Sequence, residues 1–211
     1  MVGPSSSHTA GAVRIGLTAR RLLGEPPIAA EILLHGSFAA TYRGHGTDRA
    51  LAAGILGMLP DDTGIPNSLQ IAKQARVAIT FSVTELKEAH PNTALLRLRG
   101  ASGKTMEIQA SSVGGGRIHV DKIDGIPVSF SADMPTLIVR NTDQPGSVSD
   151  VAKELCRHGI NIATMQLYRD HRGGCAIMVF ETDQSVPDAA VAALEQMPEI
   201  LSVIFLDGFN D

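Results

Sequence analysis

The sequence predicts an α+β protein in two parts that meet near residue 133. Three observations point there. The charges divide unevenly: residues 1–134 carry 13 Lys/Arg against 11 Asp/Glu, and residues 135–211 carry 5 against 11. From Pro135 onward, apolar runs of strand and helix period alternate in the order β-α-β-β-α-β. Ahead of Met134 the two patterns are mixed, with no internal repeat and no low-complexity tract beyond Ser5-Ser6-Ser7.

The second part reads element by element. "TLIVRNT" is a short apolar strand, and "DQPG" is a turn signal. Val148, Val151, Ala152 and Leu155 then recur at helical spacing. Gly159 is placed to stop that helix, with Arg157 and His158 in its last turn, where cations suit the helix dipole. "INIATMQLYRD" and "GCAIMVFETD" read as strands joined through "HRGG". Ser185 is the expected cap of a second helix, with Pro187 in its first turn and Val186, Ala190 and Leu194 on one face. "ILSVIFLD" closes the series. This order is the ferredoxin-like one, an antiparallel sheet with two helices on one face.

In the first part, Ser7 or Thr9 is a candidate cap for a helix running to Leu23 and ended by Gly24. "AEILLHGSF" reads as a strand, "TDRALAAGILGM" as a helix and "QARVAITFSV" as a strand. "ALLRLRG", "TMEIQASSV" and "RIHVDKIDG" follow as strands, with a tight turn at Asp124-Gly125.

Composition narrows the function. With 44% hydrophobic and 19% charged residues the chain is ordinary for a globular protein with a real core. A net charge of −4 gives no reason to expect nucleic acid or an anionic membrane as partner. No stretch approaches the ~20 apolar residues of a membrane span, and the start lacks the basic flank and apolar run of a secretory signal. Cys156 and Cys175 are too few for a disulfide framework or a metal–thiolate site. They read as reduced thiols of a cytoplasmic protein.

Three polar clusters stand out. "GPSSSHTAG" places Ser5, Ser6, Ser7, His8 and Thr9 at a helix N-terminus, where unpaired N–H groups and a partial positive charge favour a carboxylate or phosphate. Plain N-capping needs only one of these residues. A serine-hydrolase reading of His8 lacks an oriented acid. "GSFAATYRGHGTDRA" carries His45 between two glycines, on a loop ahead of a helix that Thr47 or Asp48 would cap. An imidazole so placed is a general-base candidate, because its pKa is easily brought near neutrality. "SSVGGGRI" is a glycine-rich run after a strand, and it matches neither the P-loop nor the GxGxxG pattern.

In that order, "GPSSSHTAGAVRIG", "GSFAATYRGHGTDRA" and "SSVGGGRI" resemble the beta chain of bacterial iron–sulfur-dependent L-serine dehydratases, over residues 1–130. "DQPGSVSDVAKEL" and "INIATMQLYRD" resemble an ACT domain, a small amino-acid-sensing module of βαββαβ order. The resemblance implies a serine dehydratase beta domain over 1–132 and an ACT domain over 133–211. Chains of this family usually carry a further segment ahead of the Gly-Pro, whereas Met1 and Val2 stand directly before it here.

The reaction so implied is the deamination of L-serine to pyruvate and ammonia, by elimination of water and hydrolysis of the aminoacrylate. In this family it proceeds without pyridoxal phosphate (PLP), on a four-iron four-sulfur (4Fe-4S) cluster. One iron of that cluster polarises the substrate's 3-hydroxyl as a Lewis acid. Two cysteines in the ACT part cannot hold the cluster, so the alpha subunit is expected to supply it, with no metal ligand in this chain.

Carried over by resemblance, Ser5, Ser6, Ser7, His8 and Thr9 face the substrate. His45 is the acid/base group, for either the α-proton or the leaving hydroxyl, and Thr41 and Asp48 orient it. Ser111, Ser112 and Gly114 to Gly116, with Gly115 at the centre, border the same pocket. Gly146 and Asn161 are the expected effector contacts of the ACT domain, which is expected to self-associate and to take L-serine or a related amino acid. The competing reading is a non-catalytic amino-acid-binding regulatory protein, in which neither His45 nor the Ser-His cluster is needed for chemistry.

Overall fold

The structure is a computed structural model describing residues 7–209, with the side chains of Ser7 and Tyr42 not described. It divides into two units, 1–125 and 126–211. Among the described residues, no helix is long and apolar enough to cross a membrane.

The first unit opens with one π-helical turn, Ser7–Gly11, which runs directly into α1 (Ala12–Leu23). Thr9 does not act as the cap of α1, and the Ser7 side chain lies outside what is described. The residue before α1 is Gly11, in right-handed helical geometry and without a side-chain cap bond, because the polar cluster is itself wound into the helix. Gly24 ends α1 as expected: at φ 79° it sends its N–H to the carbonyls of Arg20 and Arg21. Strand β1 (Pro27–Leu34) follows, then α2 (Gly36–His45) and α3 (Thr47–Leu56). The stretch expected as strand end and loop is therefore a helix, and His45 is its last residue. After a short 3₁₀ turn come α4 (Ser68–Gln74), β2 (Ala78–Val83), β3 (Thr93–Gly100), β4 (Thr105–Gly114) and β5 (Arg117–Ile123).

Within this unit the strands lie in the order β2-β1-β3-β4-β5, with β1 and β2 parallel and the remaining pairs antiparallel. Register sorts the two faces. Ile32, Leu96, Ile108 and Ile123 form one cross-strand row, and Leu34, Ala94, Ala110 and Val120 form the next, all buried on the helix side. The outward face carries the row Glu31, Arg97, Glu107, in which Arg97 reaches Glu107 at 2.7 Å and Glu31 at 3.2 Å. Alternation along the pleat makes both faces from one sequence.

Helices α1 and α3 pack together so closely that their backbones touch. A Cβ on Gly16 would fall onto the Leu51 carbonyl oxygen and 2.9 Å from the Ile55 nitrogen. One on Gly54 would fall onto the Val13 carbonyl oxygen and 2.6 Å from the Leu17 nitrogen.

Asp124 and Gly125 both have positive φ, 47° and 79°, as a tight type I′ reversal requires. The second unit begins with β6 (Ile126–Phe130). Its series is β7 (Pro135–Thr142), α5 (Ser147–Arg157), β8 (Ile162–Arg169), β9 (Cys175–Thr182), α6 (Asp188–Glu195) and β10 (Ile200–Asp207). The antiparallel sheet order β10-β7-β9-β8 is the ferredoxin-like arrangement read from the sequence. Leu137, Val139, Met178 and Phe180 of the sheet meet Val151, Leu155, Ala190 and Leu194 of the helices in one apolar core.

Two helix ends differ from expectation. Pro187, not Ser185, precedes α6, and the Ser185 hydroxyl donates to Asp207 instead. Arg157 and His158 do more than face the dipole. They hold the buried Glu154 carboxylate at 2.9 and 3.2 Å.

Candidate functional site

Ser37, Thr41 and His45 stand at i, i+4 and i+8 of α2, so they share one face of that helix. His8, in the π-helical turn, lies against this face. Its Nε2 is 3.3 Å from Thr41 Oγ1 and 3.4 Å from Ser37 Oγ. Its ring meets that of His45 edge-to-face, with centroids 4.8 Å apart and planes at 86°, and Phe38 packs on it at 5.4 Å. Gly46, at φ 72°, makes the left-handed turn that ends α2 beside the His8 ring and starts α3. Two imidazoles 37 positions apart in the chain thus become neighbours.

His8 is 8% exposed. Burial, and after it a charge on His45, hold its pKa below the ordinary imidazole value. At neutral pH His8 is therefore an uncharged proton acceptor. The Nδ1 of His45 is buried and has no hydrogen-bond partner among the described residues. The pair can accept a proton on one ring while the other presents an unsatisfied nitrogen.

The glycine-rich run lies alongside. A Cβ on Gly11 would fall onto Ser112 Oγ, so the turn carrying His8 rests on β4 at that point. Arg14 donates to the Gly116 carbonyl at 3.3 Å, and Gly116 faces Ala10. Gly114, Gly115 and Gly116 all have positive φ, a path open mainly to glycine.

The other expected site residues sort differently. Ser5 and Ser6 lie outside the described residues, and Ser7 is placed by its backbone in the π turn. Thr9 is buried in the same turn. Thr41 reaches His8, whereas the Asp48 carboxylate accepts the N–H of Arg49. Neither Asp48 nor Thr47 caps α3; Gly46 holds that position without a side-chain bond. Ser111 points to the sheet face opposite Ser112, where its hydroxyl donates to Asp121 and lies 2.8 Å from the Thr93 hydroxyl. Ser37 and Phe38 were not anticipated. The serine–threonine spacing of four was the available signal, and reading "GSF" as the end of a strand hid it.

A serine dehydratase beta chain family model matches residues 1–80, and an ACT domain model matches residues 135–199. The chain is 38% identical to the probable L-serine dehydratase beta chain of Bacillus subtilis (strain 168), over 96% of this chain and 92% of that one. It is 36% identical to the L-serine dehydratase beta chain of Peptoniphilus asaccharolyticus, over 92% of this chain and 88% of that one. The chain belongs to the L-serine dehydratase beta chain family. It is thus a lyase component with an ACT domain at its C-terminal end. A D-3-phosphoglycerate dehydrogenase of Methanocaldococcus jannaschii is 27% identical over 75% of this chain but only 30% of its own length.

The beta chain's own donors do not fit an iron–sulfur cluster. Cys156 is exposed on α5, and Cys175 sits on β9 with Arg140 near its sulfur. Among the described residues no three His, Cys, Asp or Glu side chains are grouped to hold a metal.

In the ACT unit, Gly146 precedes α5 at φ 102°, and Asn161 precedes β8 with its amide donating to Asp183. Register places them at opposite ends of the sheet. Thr142 pairs with Cys175 at one end of β9, and Ile162 pairs with Thr182 at the other.

Proposed function

We propose that the first domain, 1–132, brings His8 and His45 to the deamination of L-serine as its acid/base pair, and that the second, 133–211, senses an amino acid. The observation that carries this is the edge-to-face contact of the two imidazoles at 4.8 Å, with His8 held neutral. Losing water from serine needs a base for the α-proton and an acid for the departing hydroxyl. Two neighbouring rings, one of them kept uncharged chiefly by burial, can share those tasks. His45, whose buried Nδ1 has no partner among the described residues, is the acid/base group, and His8 is the uncharged acceptor beside it. The helical turn of Ser7, His8 and Thr9, with the adjoining glycine loop, forms the seat for the substrate carboxylate, at the N-terminal end of that continuous helical run.

Because this chain's donors do not fit a cluster, the 4Fe-4S group of the family belongs to an alpha chain, which makes that chain the obligatory partner. Such a complex would work in the cytoplasm.

Self-association follows from β8. It is an edge of the ACT sheet, exposes Met165 and Leu167, and leaves its outer side unpaired among the described residues. Antiparallel pairing of two β8 edges about a two-fold axis exchanges the ends of the sheets. That brings Gly146 of one copy beside Asn161 of the other, a seat for serine or a related effector.

The test is anaerobic co-purification of the tagged chain with an L-serine dehydratase alpha chain, followed by serine-dependent pyruvate formation. The complex turns over and the isolated chain does not. His45→Ala lowers kcat by about 10²-fold or more while the partner still co-purifies. An undiminished rate for His45→Ala overturns this reading in favour of a purely regulatory chain.

A further inference from the structure

We infer that Ser37 and Thr41 are positioning residues that fix the neutral His8 ring as its Nε2–H tautomer, making Nδ1 the nitrogen that takes up a proton. The inference rests on the reading of His8 as part of the acid/base pair. A hydroxyl has one proton to give. That of Thr41 goes to the carbonyl oxygen of Ser37, four residues back on α2, at 2.8 Å. Toward His8, 3.3 Å away, Thr41 Oγ1 therefore presents only lone pairs.

If Nε2 also carried a lone pair, the two would face each other at a site where His8 is 8% exposed. Thr41 could relieve that only by abandoning the Ser37 carbonyl, leaving one buried acceptor or the other without its donor. With the proton on Nε2, one N–H is shared between Thr41 Oγ1 and Ser37 Oγ at 3.3 and 3.4 Å, and the Thr41 lone pair has a donor to face. The i, i+4 spacing on α2 sets both oxygens on the same edge of the ring. Phe38, packed at 5.4 Å, limits rotation of the ring away from them. The same two oxygens then receive the N–H of the imidazolium once Nδ1 is protonated, so the ring need not turn over during a proton cycle. The role of a serine–threonine pair here is that of the carboxylate or carbonyl that orients a catalytic histidine elsewhere.

The experiment is a long-range ¹H–¹⁵N correlation spectrum of the ¹⁵N-labelled full chain at pH 8, in which the two ring nitrogens of each histidine report their protonation separately. His8 is assigned by the signals lost in His8→Gln. The expected result is an Nε2–H pattern for His8, and a shift toward a tautomer mixture in the Ser37→Ala/Thr41→Val double variant. Thr41→Ser keeps the wild-type pattern. In the complex with an alpha chain, Thr41→Val lowers kcat about tenfold with KM little changed, and Thr41→Ser restores it. An Nδ1–H pattern in the wild-type chain overturns the proposal, and this spectrum decides even where a variant fails to fold. So does an unchanged Nε2–H fraction in the double variant. Full activity of His8→Gln would instead remove His8 from the chemistry while leaving the tautomer assignment standing, so the two failures are told apart.

Discussion

In the second unit the Glu154 carboxylate is 6% exposed and is met by Arg157 and His158, and the buried Thr182 hydroxyl donates to the Gln184 carbonyl at 2.7 Å. In the first unit the hydroxyls of Thr18, Thr47 and Ser112 and the Nδ1 of His45 are buried with no partner among the described residues. Both units fold around a sheet with helices on its apolar face, and both leave buried polar atoms without a partner among the described residues, but the second does so at Asn141 Oδ1 and the first at more positions. Unpaired groups of this kind cost about 1–3 kcal/mol each. A unit that only had to fold would replace them with methyls. Thr47 stands two residues from His45, and Ser112 lies against the turn that carries His8, so on the proposed reading part of this cost falls beside the two imidazoles. Its compensation is tight apolar packing: two cross-strand rows and a helix crossing in which backbone touches backbone.

That contrast can be broken most forcefully at the crossing. Gly54→Ala drives a Cβ into the Val13 carbonyl, where no flexible side chain can yield. It is expected to destabilise the first unit by about 3 kcal/mol or more, read as a lowered urea midpoint. An unchanged midpoint would mean that α1 and α3 can separate freely. A matched threonine pair sharpens the comparison at intermediate size. Thr182→Val removes a satisfied hydroxyl and should cost about 1–2 kcal/mol, whereas Thr47→Val removes an unsatisfied one and should be neutral or stabilising. Equal losses at the two positions would show that the first unit is not storing unpaired polarity.

The gentlest effect is a pH dependence. The folded pKa of His8 lies below its ordinary 6.5, so between those two values the unfolded chain holds the extra proton. Stability should therefore fall as pH drops through 6.5 and level off below the folded pKa. His8→Gln should flatten that slope in denaturation curves taken across the window, and a slope identical to wild type would remove the lowered pKa from the account.

The two units also differ in how much of them could be read from the sequence. Every strand and helix of the βαββαβ series was legible, because each carries a clear apolar period and a turn residue at its boundary, Gly159 among them. The error at Ser185 was one of capping: its hydroxyl was drawn to Asp207 by a strand far along the chain. In the first unit α2 was hidden. Among the described side chains of "GSFAATYRGH", Phe38 is the one large buried apolar group, and glycines stand near both ends, so propensity and periodicity both argue for a loop. Short, polar α4 left a similarly faint trace. Local reading marked His8 and His45 individually, since their residue types and glycine flanks are local. Their contact is not local, because it depends on α2 being a helix and on the π turn laying His8 across it. For the same reason Ser111 and Ser112 look alike in the sequence, but the pleat sends one to each face of the sheet.

The glycine crossing has a mechanical consequence as well as an energetic one. His8 precedes Gly16 by eight residues in one continuous helical run, so its ring rides at the tip of an arm roughly 12 Å long from where the two helices touch, while His45 ends α2 at the Gly46 turn that heads the other arm. Opening such a pair of shears by about 5° parts the tips by about 1 Å, a displacement on the scale that costs about 10² in rate. On the proposed reading of the two rings, the precision of their placement is set remotely, by the absence of two methyl groups at the rivet.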